Sequence, residues 1–572
     1  MPAIAVVLLA LAGAAAVFRL RPLAALTVLG LAAVLVPAPL TVPHLHTSYA
    51  TVQHVLVFAG AARLAFVRED RVAARAALRP TPVLVALTLL LAYSAVVGIG
   101  FSPDAGILGY SSFRLLDLVD QLAFLVVCLA LARRVGDVRQ VLGVAAAAVL
   151  VSTLIAVAEH ATGGSYGHWL FSRLPGQAGT DAAFPLTPRQ GSPRVRAGAE
   201  FALQFGWMSA MLLPALIVVA LRASRARVVW AAAGTALVVL GIYWSFTRSA
   251  LGAVVIVVLV LGVLARDRRL GTLTAGICAA AIVTYLVVPS VGGHLSTSAD
   301  AGSIDVRSQR LAPIMHAVAA HPFRGLGLGD VVSAGFHTTD NALLLEYAEL
   351  GAVGATLLFV LFAAAVVQTG RALALPDPRD RLVAAACTTG VLTFGAGAMT
   401  YDAFTLLQDV HLLWLLVAVA TVLAERRGRQ VRLPRPALPV VVATGAVAVV
   451  AGVVVAAVVP MHAAQDYEFT TLTATHETLG YDAVTPAEAL IDTVCGQVTA
   501  LRTLGPHVSV DCVNSFGAAG VGHVRIQAPS RAALADAQEA LVRAVDGPGR
   551  LPTFRLLAVD PVATGRPTVA VT

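Results

Sequence analysis

Lysine is absent from all 572 residues, so each of the 40 basic side chains is an arginine and any mechanism built on a lysine nucleophile or Schiff base is excluded. Charge of either sign is scarce. Only 13% of residues are charged against 58% hydrophobic, and the mean hydropathy is +0.82, which excludes a water-soluble globular protein and defines a polytopic membrane protein. Cysteine is nearly as scarce: there are five, with no Cys-x-x-Cys and no His/Cys cluster to suggest zinc. Arginine-only usage in an Ala/Val-rich chain reflects compositional bias, so the formal charge of +8 does not point to nucleic acid as a partner. The arginines carry information through their positions.

A membrane-crossing helix needs about 20 mostly apolar residues, and about fourteen such runs are present, centred near 10, 31, 57, 90, 124, 149, 211, 238, 257, 281, 360, 390, 415 and 448. The turns between them alternate in arginine content. One set holds 24 arginines, including Arg63, Arg68, Arg71, Arg133, Arg134, Arg139, Arg379 and Arg426, while the other set holds nine before residue 460. The positive-inside rule makes the rich set cytoplasmic. It places the amino terminus outside, and the uncharged start argues against a cleaved signal peptide. The reading is an all-α polytopic membrane domain over 1–435, an additional transmembrane helix over 436–460 and an extracytoplasmic α+β domain over 461–572. Two long outer loops, 160–200 and 291–342, join the tail as places for chemistry. The location expected is the plasma (inner) membrane.

Cys128, Cys278 and Cys387 fall inside apolar runs and read as small core residues. Cys495 and Cys512 fall in the outer tail, where an oxidising compartment would allow them to pair.

The nine outer arginines are Arg114, Arg173, Arg189, Arg194, Arg196, Arg248, Arg307, Arg310 and Arg324. Arg248 lies in Trp244-Ser-Phe-Thr-Arg-Ser249, a turn of almost no length between two apolar runs, so its guanidinium must sit at or just below the membrane surface. Such a planar donor fork could hold a phosphate or pyrophosphate. It could equally be a snorkelling arginine that stabilises the turn.

The densest signal follows the tenth run: Ser303-Ile-Asp-Val-Arg307, His321-Pro-Phe-Arg-Gly-Leu-Gly-Leu-Gly-Asp330, and Phe336-His-Thr-Thr-Asp-Asn341 leading into Ala342 and the next helix. Glycines at 325, 327 and 329 allow the backbone to approach a ligand closely or to make tight turns. A nucleotide fingerprint is discounted, since no strand precedes the run and its third glycine is misplaced. Asp340 and Asn341 stand where a helix N-cap belongs. His337 is suited to accept a proton from a sugar hydroxyl near neutral pH, although an outer-loop histidine is more often simply solvated.

These segments together resemble the O-antigen ligase and polysaccharide polymerase family, integral membrane enzymes that handle polyprenyl-pyrophosphate-linked glycans. Arg196-Ala-Gly-Ala-Glu-Phe201 is similar to the family's first outer arginine motif, and Ser245-Phe-Thr-Arg248-Ser249-Ala-Leu to its Ser/Thr-x-Ser-Arg-x-x-Leu element. His321-Pro through Gly329, followed by Asn341 and a helix reaching Glu-Leu-Gly351, is similar to its most specific signature. The similarity spans about 190–425. Ligases of the family have His directly before the Asn, where this chain has Asp340, so the base is either His337 or Asp340.

The resemblance implies a metal-independent glycosyltransferase with no cofactor. Arg196, Arg248 and Arg307 would stabilise a departing lipid pyrophosphate, and His337 or Asp340 would deprotonate an acceptor hydroxyl for one inverting displacement. Its partners would be a polyprenyl-pyrophosphate-linked glycan donor, a glycan or lipid acceptor and the bilayer. Alternatives are a transporter or flippase of lipid-linked glycans, or a GT-C-type enzyme using polyprenyl-monophosphate sugars.

In the tail, strands are expected at Tyr467–Thr473, Val508–Cys512, Val524–Gln527 and Phe554–Val559, with helices over 485–503 and 531–546. The order βαββαβ is that of a ferredoxin-like split fold. The tail also resembles faintly the outer domain of polysaccharide chain-length regulators, which would let it contact other polysaccharide assembly proteins.

Overall fold

In lipid an apolar run can satisfy its backbone hydrogen bonds internally only as a helix, and helices dominate the structure, a computed structural model. It describes residues 2–37, 40, 51–100, 110–171, 186, 188–189, 192–221, 225–265, 314–315, 317–329, 331, 341–428, 468–475, 509–514, 521–528 and 555–559. The chain divides into two units, Met1–Val459 and Pro460–Thr572.

The first unit contains α1 (Pro2–Arg19), α2 (Pro22–Leu35), α3 (Val52–Phe66), α4 (Arg68–Ala77), α5 (Pro82–Gly100), α6 (Tyr110–Arg134) and α7 (Arg139–Thr162). It continues with α8 (Tyr166–Phe171), α9 (Ala202–Leu221), α10 (Arg225–Trp244), α11 (Arg248–Ala265), α12 (Ala342–Gly370), α13 (Pro378–Ala398) and α14 (Leu407–Gly428). Among the described residues seven helices are long and apolar enough to cross a membrane, namely α6, α7, α9, α11, α12, α13 and α14. The protein is therefore a multi-pass membrane protein. Shorter apolar helices occupy Val6–Arg19, Pro22–Leu35, Val52–Phe66 and Ala232–Trp244. The expected runs near 281 and 448 lie outside the described residues.

One segment differs from the sequence reading. Residues 68–79, expected as an arginine-rich turn, contain α4, which meets α5 at 85°. Its sequence REDRVAARAA is too charged to cross lipid, yet Asp70, Ala74 and Ala77 form one buried face, so it folds as an amphipathic helix lying across the bundle end.

α9 and α14 are the central pillars: 89% and 94% of their apolar windows are buried within the protein, against 39% for α11. Buried Phe205, Met208 and Met211 on α9 and Trp414 on α14 belong to one continuous core.

The bundle has two chemically distinct ends. At one, fully buried Asp70 accepts from Arg63 Nε at 2.6 Å and from Arg134 Nη1 at 2.7 Å, and Arg134 also pairs with Glu69. Arg63 donates in addition to the carbonyls of Val17 and Leu20, closing the end of α1. Arg133 pairs with Glu425, and Arg139 with Asp377 and Asp380. The arginines of the rich set thus clamp helices together. Asp70→Asn should lower thermal stability by about 2 kcal/mol, because the buried Arg63 guanidinium loses its counter-charge and the half-buried Arg134 loses one of its two. Glu69→Gln, at a side chain 72% exposed, should change it by less than about 1 kcal/mol; unfolding of the detergent-solubilised protein measures both.

The second unit contributes β3 (Glu468–Thr475), β4 (Ser509–Asn514), β5 (Val521–Ala528) and β6 (Arg555–Val559), after the short pair β1 (Pro188–Arg189) and β2 (Ser192–Pro193) of the membrane unit. The tail sheet has the order β4-β5-β3-β6 with every pairing antiparallel, Cys512 opposite Val524 and Thr471 opposite Arg525. Cys495 lies outside the described residues, and so does its expected pairing with Cys512. The other described cysteines, Cys128 and Cys387, are buried free thiols.

Candidate functional site

The end of the bundle opposite the arginine clamps gathers the three motif segments. Arg196 lies in an irregular stretch entering α9. The Arg196 and Ala197 N–H groups both donate to Glu159 Oε2 at 2.8 Å, and the Tyr166 N–H donates to Glu159 Oε1 at 2.8 Å. One carboxylate at the end of α7 thereby satisfies three backbone donors. The Arg196 guanidinium is buried and donates from Nη2 to Ser165 Oγ at 2.9 Å.

Arg248 is the first residue of α11, directly after the tight turn from α10. That turn packs on the Arg196 stretch: the Val195 N–H donates to the Trp244 carbonyl at 3.3 Å, Arg194 Nε to the Ser245 carbonyl at 3.1 Å, and Thr247 Oγ1 to the Ala202 carbonyl at 3.3 Å. His160 stacks on Trp244 with ring centroids 4.2 Å apart. Two non-glycine residues have left-handed backbones among the described residues, Ala197 (φ 50°) beside Arg196 and Phe246 (φ 53°) two before Arg248. Such conformations cost about 1 kcal/mol or more each and persist where surrounding contacts enforce them.

The glycine-rich stretch does something specific. Gly351 interrupts α12 with φ 65°, which frees carbonyls of the preceding turn. The Leu326 N–H donates to the Ala348 carbonyl at 2.9 Å and the Gly327 N–H to the Glu349 carbonyl at 3.0 Å, while the Ala352 N–H donates to the Pro322 carbonyl at 2.8 Å. Pro322–Gly329 is therefore a strap across the break in α12. Gly325, Gly327 and Gly329 all have positive φ, and a Cβ on Gly325 would lie 2.5 Å from the Glu349 backbone. Of the two roles the sequence allows these glycines, tight turns are the one seen. The Tyr93 hydroxyl donates to the Phe323 and Leu350 carbonyls and the Ser111 hydroxyl to that of Leu328, fixing the strap to α5 and α6.

Below the strap, the Arg114 guanidinium lies 3.7 Å from Glu346 and 3.5 Å from Glu349, all three buried, and the Gly329 N–H donates to the Glu349 carboxylate. Asn341 caps α12, its side chain accepting from the Leu344 N–H at 3.1 Å, and its own N–H donates to Asp402 Oδ1 at 3.0 Å. The loop before α14 links this corner to the first: the Tyr401 hydroxyl donates to Asp409 at 3.0 Å, and Gln408 donates to the carbonyls of Gly198 and Val36. Burial and the adjacent Asp409 carboxylate hold the Tyr401 phenol well above its ordinary pKa, so it remains a neutral donor.

Arg196, Arg248, Gly325, Gly327, Gly329 and Asn341 thus stand at one end of the bundle. His337, Asp340 and Arg307 lie outside the described residues. Glu159, Glu346 and Asp402 were not singled out by sequence reasoning, and Arg114 and Glu349 were named there without their pairing; a carboxylate three residues from a helix end or near an interrupting glycine was the available signal. No group of three or more His, Cys, Asp or Glu side chains among the described residues could hold a metal ion. No family model matches the chain, and no curated protein matches it.

Proposed function

We propose that the protein is a glycosyltransferase of the outer face of the plasma membrane. It transfers or polymerises glycan from a polyprenyl-pyrophosphate-linked donor onto an acceptor hydroxyl. The observation that carries this reading is the packing of the Arg196 stretch against the Trp244–Arg248 turn, which places two arginine motifs side by side at the bundle end opposite the clamp arginines. A departing lipid pyrophosphate needs fixed positive charge where its anion develops, and arginine forks match that geometry. Asn341 is fixed by Asp402 at the start of α12, and in this reading Asp340 or His337, just before it in sequence, would act as base. The donor lipid is confined to the bilayer, so proximity contributes much of the rate.

In this reading fourteen spans put the amino terminus and the tail outside. The β4-β5-β3-β6 order supports a ferredoxin-like tail that meets acceptor glycan or other assembly proteins.

The test is transfer by purified protein in liposomes containing a polyprenyl-pyrophosphate oligosaccharide, read as glycan elongation or transfer together with lipid pyrophosphate release. Arg248→Ala should reduce transfer roughly 100- to 1,000-fold, the effect of removing one fixed donor from a developing anion. His337→Ala should abolish it if His337 is the base, and Asp340→Asn if Asp340 is. Bilayer crossing of intact donor without pyrophosphate release would identify a transporter and overturn the reading.

A further inference from the structure

Ionisable groups inside a membrane bundle are costly and mark ion or proton chemistry unless they are fully neutralised. One set here is neither at a bundle end nor neutralised by arginine. On α6, Asp117 and Asp120 are three residues apart and so share a face. Asp120 Oδ2 lies 2.5 Å from His411 Nε2 on α14, with the two side chains 0% and 2% exposed. The His411 imidazole stacks on Phe124, ring centroids 4.1 Å apart and nearly parallel, which fixes its plane. One turn away, Asp117 Oδ1 lies 3.4 Å from His54 Nε2 on α3, with Asp117 19% exposed. At about 1.5 Å rise per residue, Asp120 is about 9 Å below Arg114 and about 21 Å from Arg134, inside the apolar span.

The second oxygen of the inner carboxylate carries the unmet charge. Asp120 Oδ1 is buried and has no hydrogen-bond partner among the described residues. An ionised carboxylate accepts at both oxygens, so a charged Asp120 beside a neutral imidazole leaves a bare anionic oxygen in a medium of low dielectric. One proton in the short Oδ2–Nε2 contact relieves this: it takes the pair's charge from −1 to 0, whether it resides on oxygen or on nitrogen.

Among the described residues the neighbouring elements offer no competing counter-charge: on α4, Glu69 and Asp70 pair with Arg134 at the far end. α2 and α9 carry no titratable side chain. On α12, Glu346 and Glu349 flank Arg114. Glu159 of α7 takes the Arg196 stretch and His160 stacks on Trp244. On α13 Arg379, Asp380 and Arg381 all lie at the far end, where Asp380 binds Arg139, leaving the buried thiol of Cys387. Asp409, on the same helix as His411, holds Tyr401. On α5, Tyr93 bonds the strap, and Arg63 of α3 and Arg133 and Arg134 of α6 serve the far clamp.

We propose that Asp120 and His411 form a proton-binding centre inside the bundle, with the Asp117–His54 pair as the more exposed station through which the proton arrives. This site is separate from glycan transfer, and its test needs no substrate.

The full-length protein is reconstituted in lipid nanodiscs and followed by pH-difference infrared spectroscopy in the carboxylic-acid carbonyl region, alongside nitrogen NMR of ¹⁵N-histidine-labelled protein. A carboxylic-acid band that appears on acidification and is lost in Asp120→Asn, together with a His411 resonance titrating at the same midpoint and absent from His411→Gln, supports the centre. Asp117→Asn should retain that band while shifting its midpoint or slowing its appearance. If Asp120→Asn fails to fold, the wild-type His411 resonance decides: movement with pH supports the proposal, and constancy across the folded range overturns it. Persistence of every carboxylic-acid band in folded Asp120→Asn, together with a His411 resonance that does not move with pH, also overturns it.

Discussion

Replacing Gly351 by valine should lower the stability of the membrane unit by about 3 kcal/mol or more. The left-handed backbone alone costs an L-residue about 1–2 kcal/mol. A Cβ at Gly351 would in addition lie 2.3 Å from the Phe323 carbonyl carbon and 2.4 Å from its oxygen, atoms of a backbone that cannot swing aside as a side chain can. The strap must then leave the break in α12, exposing the Ala348 and Glu349 carbonyls it satisfies. Gly143→Ala is the matched control: its Cβ meets nothing within 4 Å on α7, and removing a helical glycine should be neutral or stabilising by about 0.5–1 kcal/mol. Thermal unfolding in detergent separates the two. An unfolding midpoint for Gly351→Val equal to that of the parent would show that the strap does not hold α12.

Glu159→Ala is expected to be comparably severe. Three backbone N–H groups, those of Tyr166, Arg196 and Ala197, lose their acceptor together, each at about 1–3 kcal/mol if buried and unmet, with less than full additivity as the stretch relaxes. Relaxation is the informative part. The stretch carrying Arg196 should come away from the end of α7, so limited proteolysis should cut near residues 194–199 in the variant and spare the parent. Glu159→Gln keeps one carbonyl acceptor and should fall between them. Equal protection in all three proteins would remove Glu159 as the organiser of this corner.

The helices were legible because about 20 apolar residues leave lipid-embedded backbone no other solution. The arginine alternation was legible because charge resists the membrane interior, though not the pairing of those arginines with Asp70, Glu425, Asp377 and Asp380 across helices far apart in sequence. The Asn341 cap sits where local chemistry puts it. The glycine strap was visible as spacing but not as purpose, since the carbonyls it serves are freed by a glycine 22 residues beyond the last of the run. α4 escaped notice because four arginines in twelve residues read as a turn, whereas the i, i+4, i+7 placement of Asp70, Ala74 and Ala77 was the helical sign. Asp117, Asp120, His54 and His411 were hidden for a different reason: averaging hydropathy over a window dissolves single polar residues into their apolar surroundings.

The seam between α6 and α14 sets a timetable for synthesis. Arg133 grips Glu425 across 292 residues of chain, and Arg426 donates to four carbonyls at the end of α6, those of Ala132, Arg133, Val135 and Gly136. At about 5–20 residues per second, α6 waits about 15–60 seconds after leaving the ribosome before these partners exist. Throughout that interval its acidic residues and open helix end must be sheltered by an insertase or by the earlier helices α2, α3, α4 and α5 alone. Ribosomes that stall before codon 426 would therefore leave a nascent chain whose early helices are inserted but unlatched, exposed to the quality-control proteases of the membrane.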